Sequence, residues 1–189
     1  KLALGDFEGA ISDQTKSIEI LPLAVESHLN RGIAEEALRL WDEAALDYNW
    51  ILEHDPADAL ALYNLGNVRV AQSNWIEAEA LFDQASLARP GFVMARSSKA
   101  LMLYQLGYLD KAESELRAII RRSPMFADSR AALTALLWHK GFPGEAKSHW
   151  AAAYGLDNRY RDQDWLLKIR RWPLEPTQDL LAFLTLESL

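Results

Sequence analysis

The sequence predicts an all-α protein built as an array of two-helix units, and three periodic features predict it. Alanine recurs at Ala10, Ala44, Ala78, Ala112 and Ala146, each 34 residues after the last. Proline keeps the same period at Pro22, Pro56, Pro90 and Pro124, with Asn158 where a fifth would fall. Large side chains stand four residues after each alanine from the second onward, at Tyr48, Phe82, Leu116 and Trp150. A period sustained in this way marks stacked repeats, in which each unit buries its apolar face against the next.

Within one period the apolar spacing predicts two helices. Ala59 to Ala71 is apolar at helical spacing, and Gln72-Ser73-Asn74 interrupts it. Trp75 to Ala88 follows as a second helix, and Arg89-Pro90-Gly91 ends it. The proline accounts for that boundary, because it lacks an N–H and biases the preceding residue away from helix. Small residues set the packing. Gly66 and Ala78 stand where the paired helices approach closely, and Gly32, Ala100 and Thr134 share the Gly66 register. A bulky replacement there overpacks by ~1–3 kcal/mol. Trp75 and Phe82 are expected to fill the space between neighbouring units.

Leu65-Gly66, Ala78, Phe82, Ala85 and Pro90 resemble the tetratricopeptide repeat (TPR) pattern position by position. The resemblance implies a right-handed α-solenoid of helix–turn–helix units over residues 1–160. These divide into a partial first unit, 1–24, and full units 25–58, 59–92, 93–126 and 127–160. Because the chain begins inside a repeat, more protein is expected upstream of Lys1. Two units depart from the pattern: Arg31 and Glu35 replace the usual leucine and tyrosine of the second unit, and Arg69 stands in the third. Equivalent positions of neighbouring repeats stack, so Glu35 and Arg69 are expected to pair.

The pattern stops after Asn158, and residues 161–189 are expected to form C-terminal capping helices. Arg161 to Trp172 reads as one helix with Trp165, Leu166, Ile169 and Trp172 on a single face, ended by Pro173. Thr177 is the expected cap of a last helix, Gln178 to Leu189, carrying Leu180, Leu181, Phe183 and Leu184. The stretches Asp157-Asn158-Arg159-Tyr160-Arg161-Asp162 and Ile169-Arg170-Arg171-Trp172-Pro173 resemble the tail of TPR proteins from chloroplasts and cyanobacteria. That resemblance implies a role in building photosynthetic membrane complexes.

Composition narrows the function classes. Half of the 189 residues are apolar, 25% are charged and none is cysteine. Disorder, disulfide scaffolding and thiol chemistry are thereby excluded. The net charge of −7 argues against nucleic acid as the main partner. No apolar stretch approaches the ~18 residues that span a bilayer. His28, His54, His139 and His149 lack metal-ligand spacing and are expected as surface or capping residues. Gly141-Phe142-Pro143-Gly144 is a turn rather than a phosphate loop. The adjacent pairs Glu35-Glu36 and Asp42-Glu43 point about 100° apart on a helix, which does not suit an acid/base pair. No enzyme, metal site or cofactor is expected. The seven tryptophans read as packing residues, except Trp138, which falls on the inner face of a first helix.

First helices of TPR arrays line a concave groove. Mapped onto this chain, the groove holds Leu60, Tyr63, Asn64, Asn67, Met94, Leu101, Tyr104, Gln105, Trp138 and His139. Aromatic anchors beside amides suit a protein segment, since an amide serves both N–H and C=O of a bound backbone. The alternative occupant is the chain's own C-terminal helix. The clamp that grips chaperone carboxylates is absent from the full units, where Leu29, Ile33, Asn64, Met94 and Ser98, or Tyr63, Asn67, Ser98, Asp128 and Ala132, supply no cation. Residues 1–58 hold four Lys/Arg and thirteen Asp/Glu, whereas residues 93–126 hold six and three. A solvated surface accounts for this asymmetry, and steering of a partner is its alternative. The sequence therefore predicts a scaffold or assembly factor that binds a protein. Self-association into a homo-oligomer and service as the recruiting arm of a larger enzyme are its two rivals.

Overall fold

The structure, a computed structural model, describes residues 5–187, with side chains through residue 186. Among the described residues ten α-helices run in order: α1 (Phe7–Ile20), α2 (Val25–Ala37), α3 (Trp41–His54), α4 (Ala59–Ala71), α5 (Trp75–Ala88), α6 (Val93–Gln105), α7 (Leu109–Arg122), α8 (Ala127–His139), α9 (Pro143–Leu156) and α10 (Leu174–Glu187). The first helices of the full units begin at 25, 59, 93 and 127, and their second helices at 41, 75, 109 and 143. Helix boundaries therefore keep the 34-residue period of the alanines and prolines.

Local chemistry explains these boundaries. Each second helix from α1 to α7 ends two residues before its proline, where the N–H of Leu21, Asp55, Arg89 or Ser123 closes the last turn. Asp58 caps α4 by accepting from Leu60 and Ala61 N–H at 2.9 and 2.8 Å. The turn between paired helices passes through a left-handed residue at Arg39, Ser73, Gly107 and Gly141, again one period apart. At Gly66 an added Cβ would lie 2.6 Å from the Phe82 ring, and at Gly32 one would lie 2.7 Å from the Tyr48 ring. The close approach inferred for the α4–α5 pair is thus explicit.

The chain divides into two compact bodies, Lys1–Pro90 and Gly91–Leu189. In the first, α1 to α5 pack in sequence order around Ala34, Tyr48, Ala61, Leu65, Val68, Phe82 and Ala85. In the second, α6 to α9 pack in the same order around Ala100, Met102, Leu116, Ile119, Leu133 and Leu136. The α10 helix then returns to lie on α8 and α6.

The segment between α9 and α10 corrects the expected helix Arg161 to Trp172. It forms a 3-10 turn over Asn158–Arg161 and a π-turn over Trp165–Ile169, followed by a bend at Arg170 and a left-handed residue at Arg171. The wider π spacing, closed by Arg170 N–H to the Trp165 carbonyl at 2.9 Å, re-aims Arg170 and Trp172 toward α8. Leu166 and Trp172 are buried as expected, but Ile169 is exposed. Thr177 does not cap the last helix. That helix starts at Leu174, and the buried Thr177 hydroxyl donates back to the Pro173 carbonyl at 2.8 Å. The expected end of this helix at Leu189 lies outside the described residues.

Candidate partner-binding surfaces

In the first body the exposed side of the first helices runs along α2 and α4. Ile33 and Leu60 are each 37% exposed, and Leu29, Tyr63, Asn64 and Asn67 are half-buried. The Tyr63 ring leans on Phe82 with centroids 5.5 Å apart, which holds it against the α4–α5 pair. The amides of Asn64 and Asn67 bond to nothing among the described residues. They remain available as paired donors and acceptors. Glu36 leaves this face, because its carboxylate accepts from the buried Tyr48 hydroxyl of α3.

Beneath this face lies a polar cluster that the sequence reading did not assemble. His28, 5% exposed, donates from Nδ1 to Asp47 Oδ1 at 2.7 Å and stacks on Trp50 at 3.8 Å. Arg31 forks onto the same carboxylate, with Nε and Nη2 each 2.8 Å from an oxygen. His28 is therefore buried within the helix pair, not a surface or capping residue; helix pairing brought together groups 19 residues apart. The expected Glu35–Arg69 pair is absent. Arg69 meets Glu77 of its own helix pair at 2.8 Å, while Glu35 lies 3.9 Å from Arg31. Each side chain found a partner inside its own unit. Glu35 Oε2 is buried without a hydrogen bond, and burial, with Asp47 and Glu43 nearby, pushes its carboxyl up to about 7 against the opposing pull of Arg31.

In the second body the corresponding face is covered. Pro173, Pro176, Thr177, Leu180 and Phe183 form the buried side of α10 and of the residue before it. Tyr104 donates its hydroxyl to Asp179 Oδ2 at 2.7 Å, and His139 Nδ1 lies 2.9 Å from the same oxygen. Gln105 Oε1 accepts the Glu175 N–H at 3.0 Å, and Trp138 meets Phe183 edge-to-face at 5.9 Å. Leu101 and Tyr104 are consequently only 2% and 1% exposed, and Met94 is half-buried. The expectation of an open groove at Leu101, Tyr104, Gln105, Trp138 and His139 is corrected in this respect: α10 occupies it.

Asp128, Ser97, Ala131 and Ala135, which stand on the first helices α6 and α8, are wholly buried. Asp128 accepts from Ser97 Oγ (2.6 Å), Tyr160 OH (2.9 Å), Arg170 Nε (2.8 Å) and Trp172 Nε1 (3.0 Å). Burial alone would raise its carboxyl, but the Arg170 charge and these hydrogen bonds outweigh it and hold the group below the ordinary carboxylate range. Beyond α10, an open pocket is lined by Trp150, Tyr154, Arg161 and Leu184, so Trp150 is not enclosed in a core. Among the described residues no group of three or more His, Asp or Glu is placed to hold a metal ion, and no helix is long and apolar enough to cross a membrane.

Two-helix units repeated with a 34-residue period define a helical-repeat protein. The tetratricopeptide repeat model matches residues 29–86 and 63–124, and the chain belongs to that family. It is 24% identical over 141 residues to the human mitochondrial import receptor subunit TOM70, covering 69% of this chain but only 23% of that protein. Among solved structures, MamA from Desulfovibrio magneticus RS-1 aligns at a TM-score of 0.74 with 19% identity, over 85% of this chain and 90% of that one. YrrB, described as a TPR protein with an unusual peptide-binding site, aligns at 0.65 with 22% identity, over 93% and 98%.

Proposed function

We propose that this chain is a non-enzymatic protein-interaction module, a scaffold or assembly factor whose repeats (residues 1–160) take a segment of a protein partner on their first helices. The observation that carries the reading is the α2–α4 face. There Ile33 and Leu60 stand out of the surface beside Tyr63, and the Asn64 and Asn67 amides have no partner within the described residues. Apolar anchors fix a segment in place, and amides satisfy its backbone groups. TOM70 is a receptor for import, and YrrB is described as binding peptide, which supports the same class of activity. The narrower reading, help in assembling photosynthetic membrane complexes, is supported by the tail sequence from Asp157 to Pro173.

The test is capture from native lysate with wild type and with a Leu60→Ala, Asn64→Ala, Asn67→Ala variant of unchanged helicity. A protein retained by wild type and lost by the variant, then rebuilt as a pure binary complex, supports the reading. Equal capture by both overturns recognition at this face.

A further inference from the structure

The α6–α8 face already holds a ligand, and that ligand is part of the chain. We infer that this face is a second helix-binding site, that α10 occupies it as a displaceable internal ligand, and that its external partner is an acidic amphipathic protein helix. The inference rests on the reading that first-helix faces take partner segments, but it concerns a different face.

Three observations lead to it. First, α10 engages this face through an ordered set of side chains. Asp179 reaches Tyr104 and His139, Leu180 is fully buried one residue later, and Phe183 packs on Trp138 four residues later. An acidic residue followed by apolar residues at +1 and +4 is the face of an amphipathic helix laid in a groove. Second, the occupant is acidic: residues 174–187 hold three acidic residues and no basic one, and the Asp179 carboxylate lies against the Tyr104 hydroxyl and the His139 ring of the face. Third, the helix and its tether are held separately. Tyr160, Arg170 and Trp172 are fastened to the buried Asp128. The helix beyond Pro173 can therefore leave the face without breaking that anchorage. Its contacts with the anchored segment are few compared with those it makes with α8.

The experiment uses the full chain and a fluorescein-labelled peptide of residues 173–189, followed by polarisation. In wild type the tethered helix competes at an effective concentration in the millimolar range, so peptide binding is weak. The substitutions Leu180→Ala and Phe183→Ala loosen the tethered helix. The peptide then binds at least about tenfold more tightly than to wild type. Adding Tyr104→Phe and His139→Ala to that chain, or Asp179→Lys to the peptide, lowers affinity by about tenfold or more, as expected for lost charged hydrogen bonds.

Equal binding to wild type and the loosened chain, or binding to neither, overturns the inference. So does loss of helicity in the loosened chain, because α10 would then belong to the core of its unit. Hydrogen exchange on wild type gives an independent reading: α10 amides exchange at least about tenfold faster than those of α8 if the helix opens by itself. Exchange of both at one common rate overturns it. A wild-type dimer abolished by Phe183→Ala assigns the face to the α10 of a second copy and overturns the partner class. No residue of α2 or α4 enters these assays, so failure here and failure of the first-body reading are distinguishable.

Discussion

Asp128 and Arg170 lie 42 residues apart and meet as a buried ion pair, with Arg170 Nε 2.8 Å from Asp128 Oδ1 and Nη2 2.7 Å from Oδ2. Ser97, Tyr160 and Trp172 complete the shell of the carboxylate. Through this one side chain α6 and α8 hold the segment that leads to α10. Removing one partner of a buried pair strands the other charge, so Asp128→Asn should cost about 3–5 kcal/mol in urea denaturation. Adding Arg170→Met should recover part of that loss, since no uncompensated charge then remains. Failure to recover would show that the hydrogen bonds from Tyr160 and Trp172 matter more than the ion pair.

The same carboxylate sets an acid limit. Its folded value is depressed, so its contribution is complete above the unfolded value of about 4 and is lost as pH falls below it. Wild type should lose stability below about pH 4 more steeply than Asp128→Asn does, as read from melting temperature against pH.

Glu35 acts in the opposite sense. Its folded value is raised to about 7, so its favourable contribution is complete below the unfolded value of about 4.5 and disappears as pH rises through 7. Glu35→Gln should therefore stabilise the chain by about 1–2 kcal/mol at pH 8, with little effect at pH 4.5. A gain of equal size at both pH values would rule out titration as its origin.

Gly66 and Phe82 form a matched pair. A Cβ at Gly66 would lie 2.6 Å from the buried ring, so Gly66→Ala should destabilise by about 1–3 kcal/mol. The equivalent positions of the next unit hold Ala100 and Leu116. Gly66→Ala with Phe82→Leu should accordingly cost less than the sum of the single changes in a double-mutant cycle. Simple additivity would show that the two side chains do not compete for the same space.

Arg39 and Ser73 adopt φ of 62° and 59° at turns where the next two units carry Gly107 and Gly141. Left-handed backbone penalises a side chain, so Arg39→Gly and Ser73→Gly should each raise stability by about 0.5–1 kcal/mol. An unchanged or lower melting temperature for both would show that the unfolded-state entropy of glycine outweighs the relieved strain.

Within the repeats, helix order and boundaries were determined by the sequence alone, because they follow from local chemistry repeated every 34 residues: prolines that stop helices, small residues that admit a neighbour and apolar spacing that amplifies with each unit. The α4 and α5 boundaries stand where Gln72-Ser73-Asn74 and Arg89-Pro90-Gly91 place them. The candidate groove was legible as a set of positions for the same reason.

Which of those positions face solvent was decided by tertiary structure. No periodic signal in Asp179 or Phe183 shows that α10 turns back onto Tyr104, His139 and Trp138. Nor does repeat position distinguish Asp128, found at the centre of a polar core, from an exposed aspartate. Buried charges choose partners by distance in three dimensions. Arg31 therefore pairs with Asp47 of its own helix hairpin, and Arg69 turns to Glu77 instead of Glu35. Local chemistry repeats and can be read along the chain, whereas a polar network with one solution is known only once its members meet.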